Sequence, residues 1–399
     1  MSLSPVIPST RANEIRYAIR DIVVLANKVA KTGQKMLYLN IGDPNVYDFT
    51  VPDFVVDAVG RAMKENRCGY SPSSGIAEGV EAIRNEAHRK GIKNILDIFI
   101  TTGASEAIEI CMTALLNPGE NILTPAPGYP LYTAVVSKLG TEENPYLLDE
   151  ENGWQPDVAD MERKINDKTR AIVLINPNNP TGSIAKEETL RAVIALAKKY
   201  NLVIFADEIY DKLVLDGGQT LSIASLDQEV GMITFGGLSK VYLGPGLRIG
   251  WGIVSGQTEL MGNYVEAINK ILRARLCANH PIQYAIKPCL EGAHPHLPEV
   301  LNKLRARRDL TVSMLNEIKG ISLVAPKGAF YAFAKLNEVK DDNKWTSELM
   351  WKTGVVVVPG SGFGQKPGTS HFRVVFLPDE NTLKSAYEKI AWFQKEWHE

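Results

Sequence analysis

Four short segments carry residues able to hold a phosphate and to offer a nucleophilic amine. In Thr234-Phe-Gly-Gly-Leu-Ser-Lys240 a lysine follows an apolar run and a Gly/Ser turn. Partial burial at a sheet edge lowers the pKa of such an amine and makes its neutral form available as a nucleophile. Further along the same segment, Arg248 is a planar cation suited to a phosphate, and Ser239 is a nearby hydroxyl donor. Taken alone, Ser239, Lys240 and Arg248 read more readily as a surface lysine with a structural arginine downstream.

The second segment, Asn176-Pro-Asn-Asn-Pro-Thr-Gly182, follows the apolar run Ala171–Ile175. So many turn formers at the C-terminal end of a strand build a rigid loop where α/β sheets bind ligands, and Asn179 can aim its amide there. A plain turn before a helix uses the same residues. The next apolar run, Leu202–Ala206, delivers Asp207-Glu208-Ile-Tyr210 to the same edge, so an acid, an amide and a phenol converge. Taken singly, Asp207 also reads as a helix N-cap. In Thr101-Thr-Gly103-Ala104-Ser105-Glu-Ala, backbone N–H groups and a hydroxyl at a helix start form a phosphate cradle. The GxxxxGK[ST] spacing is absent, which disfavours nucleotide hydrolysis.

These residues need a scaffold, and the surrounding pattern supplies one. Short apolar runs at Ile98–Thr101, Asn121–Thr124, Ala171–Ile175, Leu202–Ala206 and Met232–Phe235 alternate with helical patterns. Alternation of this kind predicts a mostly parallel sheet covered by helices, in an α/β large domain over residues 48–296. Between two of the runs, Lys186–Lys199 places Leu190, Val193, Ile194 and Ala197 at helical spacing and serves as a crossover. From Pro298 a long helix begins, followed by Ser322–Val324, Ala329–Phe333, Val355–Val358, Phe372–Phe376 and a terminal helix. This reads as a smaller α+β domain, residues 297–399, completed by residues 1–47, which hold a helix from Arg11, a strand at Met36–Leu39 and a sharp turn at Gly42–Pro44.

The 399 residues, 45% apolar and 23% charged, suit an ordinary globular chain of two domains. With 44 basic against 46 acidic residues and no long basic run, nucleic acid is not expected as a partner. Cys68, Cys111, Cys277 and Cys289 form no CxxC pair, so neither a metal site nor a disulfide framework is expected, and reduced thiols in a cytoplasm fit best. The first ten residues lack a charged segment followed by an apolar stretch, so neither secretion nor membrane insertion is expected.

From Tyr17-Ala-Ile-Arg20 and Leu39-Asn-Ile-Gly-Asp-Pro44, through NPNNPTG, ADEIY and GLSK followed by Arg248, to His371-Phe-Arg-Val-Val-Phe-Leu-Pro378, the chain resembles the fold-type I pyridoxal-phosphate-dependent aminotransferases of class I/II. Within them it resembles the prokaryotic-type alanine aminotransferases. The resemblance implies a seven-stranded sheet in the large domain and pyridoxal 5′-phosphate held on Lys240 as a Schiff base. Lys240 would then move the proton between the substrate's Cα and the cofactor. Asp207 would pair with the pyridine nitrogen, Asn179 and Tyr210 would bond the 3′ oxygen, and Tyr129 would stack on the ring. Gly103, Ala104, Ser105, Ser239 and Arg248 would hold the phosphate, joined by Tyr70 from the partner subunit of a homodimer.

Arg373 would grip the substrate carboxylate, with Gly42 and Asn179 beside it, and so orient the Cα–H bond for deprotonation. Tyr17 and Arg20 resemble an N-terminal Tyr-x-x-Arg that approaches a small substrate. Two departures matter. Gly237 stands where many members carry serine, although alanine-type members share the glycine. Arg273 and Arg275 lie where aspartate-type members select a distal carboxylate; aspartate specificity is not expected. The expected reaction is ping-pong exchange of an amino group between L-alanine and 2-oxoglutarate; transamination of an aspartate, branched-chain or aromatic donor, or a lyase on the same frame, is the alternative.

Overall fold

The computed structural model describes residues 5–15 and 18–398, the side chains of residues 14 and 18–21 excepted. A large sheet is built from β1 (Ile95–Thr101), β2 (Asn121–Ala126), β3 (Glu142–Asp149), β4 (Gln155–Pro156), β5 (Thr169–Ile175), β6 (Val203–Asp207), β7 (Met232–Gly237) and β8 (Gly250–Ser255), in the order β1-β8-β7-β6-β5-β2-β3-β4. The core β7-β6-β5-β2-β3 is parallel; β8 runs antiparallel to both β1 and β7. The expected seven strands are present, and the two-residue β4 adds a short antiparallel edge.

Period-two alternation explains why both faces of this sheet are covered. Ile172, Leu174, Ile204 and Ala206 pack into one apolar core, whereas Ala171, Val173, Phe205 and Phe235 pack into a second. Helices α1 (Ala104–Leu115), α2 (Pro130–Leu139) and α4 (Thr258–Ala274) bury Ile108, Tyr132 and Ile268 in the second core. On the other face α3 (Glu187–Tyr200) presents Leu190, Val193, Ile194 and Ala197, the stripe that its helical spacing predicts.

Three strands escape the apolar-run reading, the two-residue β4 among them. In β3 the charges and proline of Glu142-Glu-Asn-Pro145 sit near the sheet edge, where they reach solvent. In β8 the glycines of Gly250-Trp-Gly-Ile weaken the strand pattern, yet Gly252 is needed because a Cβ there would run into the Phe99 ring.

A second, antiparallel sheet contains β9 (Ile321–Ser322), β10 (Tyr331–Leu336), β11 (Val358–Pro359) and β12 (His371–Val375), ordered β9-β10-β12-β11. Helices α5 (Leu297–Asn316), α6 (Asp342–Thr353) and α7 (Glu380–Glu396) accompany it, with Trp345 of α6 stacked on Phe372 at 5.0 Å. The anticipated N-terminal helix is two, Thr10–Glu14 and Ala18–Ala30. After them Leu37–Tyr38 pairs in parallel with Val355–Val356, and Leu39 accepts a hydrogen bond from the Val375 N–H. These bonds seat residues 39–42 beside β12.

Candidate active site

A cleft of about 910 Å³ lies where the C-terminal ends of β5, β6 and β7 face the second sheet, and Asn40, Gly42, Asn179, Asp207, Lys240 and Arg373 are among its lining residues. Side chains from distant parts of the sequence meet here because parallel strands end at one edge.

Asp207 closes β6 and is buried, accepting hydrogen bonds from the Tyr132 hydroxyl (3.2 Å) and the Ile209 N–H (3.3 Å). Burial pushes its carboxyl up to about 6; the two hydrogen bonds and the positive charge of Lys240 oppose that shift. Its neighbour Glu208 instead pairs with Lys90 at 3.5 Å, outside the cleft lining.

Lys240 extends into the cleft and donates from Nζ to the Gly42 carbonyl at 3.0 Å, with the Tyr210 and Phe330 rings 5.8 and 5.4 Å away. Gly42 has no room for a side chain, since a Cβ would strike Tyr331 and Phe330. The Tyr210 and Tyr331 hydroxyls share a hydrogen bond of 3.0 Å, and burial holds the Tyr210 phenol far above its ordinary range, so it is a neutral hydrogen-bonding group.

Arg373 projects from the middle of β12 and is almost fully buried. Its Nη1 donates to Asn179 Oδ1 at 3.1 Å and its Nη2 to the Asn40 carbonyl. The Tyr331 and Phe363 rings each lie 4.8 Å from the guanidinium carbon. Held at its edges and flanked by aromatic rings, the fork has little freedom to rotate.

Helix α1 begins after Gly103, whose φ of +80° suits glycine, and its first residues line the cleft. A Cβ on Gly103 would collide with the Arg248 guanidinium, and one on Gly250 with the Ala104 backbone, so this corner is closely packed. Ala104, Ser105, Ser239 and Arg248 all line the cleft there, and Arg248 Nη1 donates to the Pro245 carbonyl at 2.9 Å. Helix N–H groups, two hydroxyls and a guanidinium form a cradle for a dianion. Gly237 cannot gain a side chain cheaply, because its Cβ would lie 2.8 Å from the Ile249 carbonyl oxygen.

Half-buried Tyr129, just before α2, also lines the cleft. Tyr70 is 85% exposed and is not among the residues that line it. Tyr17 falls outside the described residues, as does the Arg20 side chain. Arg273 pairs with Glu266 at 2.8 Å, while Arg275 donates to the carbonyls of Ser73 (3.1 Å) and Ile100 (2.8 Å); neither lines the cleft.

Sequence reasoning passed over Tyr132, Tyr331, Phe363 and Asn40. The signal for Tyr132 was its place one helical turn after Tyr129 in Tyr-Pro-Leu-Tyr. Tyr331 and Phe363 look like core aromatics until the fold puts them beside Arg373.

The residues present fit pyridoxal phosphate. A buried carboxylate in an apolar setting suits a protonated ring nitrogen, the cradle suits a phosphate, and Lys240 lines the same cleft, with its charge felt at Asp207.

Residues 34–390 match the family described as aminotransferase class I and II. The chain is 37% identical to the glutamate-pyruvate aminotransferase AlaA of Escherichia coli K12, over the full length of both. It is also 37% identical to an alanine aminotransferase of Mycobacterium tuberculosis, over 96% of this chain and 92% of that one. The solved alanine aminotransferase of Pyrococcus furiosus superposes with a TM-score of 0.94 at 39% identity, covering 98% of this chain and all of the other.

Proposed function

The chain belongs to the class I and II aminotransferases, and from that membership we propose that it transfers an amino group between L-alanine and 2-oxoglutarate, giving pyruvate and L-glutamate by a ping-pong mechanism. Pyridoxal 5′-phosphate is the cofactor; when bound, it supplies a conjugated electron sink for the electrons left as the substrate Cα loses its proton. The observation that carries this reading is the meeting of Lys240, Asp207 and Arg373 in one cleft.

Within it, Ala104, Ser105, Ser239, Arg248 and the N-terminus of α1 would hold the phosphate, with Gly103 allowing the close turn. Asp207 would keep the ring nitrogen protonated, and Tyr132 would steady that carboxylate. Asn179 and Tyr210 would donate to the ring oxygen, and Tyr129 would cover the ring face. Arg373 would bind the substrate carboxylate through its fork, exchanging its contact with Asn179 or Asn40 for the ligand. Lys240 would leave the Gly42 carbonyl and serve as the covalent anchor; once displaced by the substrate's amine, its freed Nζ would take the proton from Cα.

A homodimer completes this reading, with exposed Tyr70 serving the cradle of a second copy. Tyr17 and Arg20 would close over the bound amino acid, and residues 48–296 would act as one domain against the remainder. The alanine assignment is supported by full-length relatives named for alanine or glutamate-pyruvate transfer. Steady-state rates with alanine, aspartate, tyrosine and leucine against 2-oxoglutarate test it. Alanine should have the highest kcat/KM; a preference for aspartate or tyrosine would reassign the donor.

A further inference from the structure

Asn40 is fully buried, and neither its side-chain Nδ2 nor its Oδ1 has a hydrogen-bond partner among the described residues. A buried amide in that condition costs stability, because it has lost water and gained nothing. The residue lines the cleft, and its own carbonyl accepts from Arg373 Nη2, so the unused amide sits next to the carboxylate-binding fork. It is also held in place: Leu39 donates to the Val356 carbonyl at 2.9 Å and accepts from the Val375 N–H at 2.9 Å. Orphaned polar groups at fixed positions in a cleft are stability given up for a ligand.

We infer that Asn40 is a further substrate-binding residue, whose side-chain Nδ2 donates to the carboxylate that Arg373 grips. The assignment rests on the aminotransferase reading. Arg373 supplies charge and two parallel donors, and Asn40 supplies one neutral donor that fixes rotation of the carboxylate. Both the amino acid and the 2-oxo acid carry that group, so Asn40 serves both half-reactions.

The test uses holoenzyme and two probes that cannot turn over alike: 2-methylalanine, which has the carboxylate but no Cα hydrogen, and 2-aminopropane, which lacks the carboxylate. Binding is read from the concentration dependence of the bound cofactor's visible absorption. Asn40→Leu, close in size, should weaken 2-methylalanine by roughly tenfold or more, the value of one lost hydrogen bond to a charged group. It should leave 2-aminopropane unchanged and should not lower the unfolding temperature of the ligand-free holoenzyme. Asn40→Ala read on the same probes serves if the leucine variant does not fold. Equal weakening of both probes, or undiminished binding of 2-methylalanine, would overturn the assignment. Release of pyruvate from alanine by the parent protein separates the two ideas: without it the aminotransferase reading fails, and with it only the role of Asn40 is at stake.

Discussion

Lys240 Nζ donates to the carbonyl oxygen of Gly42 at 3.0 Å, a bond that joins the end of the large sheet to the turn bound beside β12. Arg373 donates to the carbonyl of Asn40, two residues earlier, so one short segment holds both the amine and the guanidinium fork. Lys240→Ala should abolish covalent attachment of the cofactor, seen as loss of borohydride-fixed label, and lower kcat by at least roughly a thousandfold. Retention of fixed label on another lysine would move the anchor elsewhere.

Asp207 gives a prediction about stability and pH. Its folded value of about 6 stands above the ordinary 3.8, so the folded chain holds this proton more tightly than the unfolded one. The carboxylate therefore destabilises the cofactor-free fold, by an amount that grows as pH rises between those values and vanishes below the lower one. Cofactor-free Asp207→Asn should be more stable than the parent by on the order of 3 kcal/mol at mildly alkaline pH, with the gap closing towards about pH 4. Denaturant titration across that range measures it. With cofactor the order should invert in activity, kcat falling by roughly a hundredfold or more for want of the charge.

Gly103→Ala tests the packing of the cradle. The new Cβ meets the Arg248 guanidinium, and φ of +80° disfavours any side chain. Displacing that cation should weaken cofactor binding by roughly tenfold or more, and the backbone strain should cost on the order of 1 kcal/mol of stability. Fluorescence titration with pyridoxal phosphate and a thermal melt separate the two effects.

Arg373→Lys keeps the charge but loses the fork and its fit between the Tyr331 and Phe363 rings. KM for alanine and for 2-oxoglutarate should both rise, by roughly tenfold to a hundredfold, while cofactor affinity is preserved. A change confined to one substrate would place the carboxylate elsewhere.

Much of this was legible in the sequence because the parallel core announces itself. The runs ending at Ile175, Ala206 and Phe235 are apolar and β-branched, and each is followed at once by its chemical residues, so Asn179, Asp207 and Lys240 could be read as neighbours. The glycines of β8 and the charged start of β3 broke that pattern, because packing against Phe99 and exposure near a sheet edge decide those strands. Tyr132 bonds an acid distant in sequence, so its spacing from Tyr129 shows a shared helix face but not that partner. The orphaned amide of Asn40 is likewise invisible in Leu-Asn-Ile-Gly, which reads as a strand end running into the Gly42–Pro44 turn.

The most direct measurement mixes cofactor-loaded protein with L-alanine alone, at substrate excess and with no oxo acid acceptor, and counts pyruvate. One equivalent per active site, with no ammonia, followed by one equivalent of glutamate when 2-oxoglutarate is added to the desalted protein, is the expected result. Continuous ammonia release, or no pyruvate at all, would contradict an alanine aminotransferase and point instead to a lyase or to another donor.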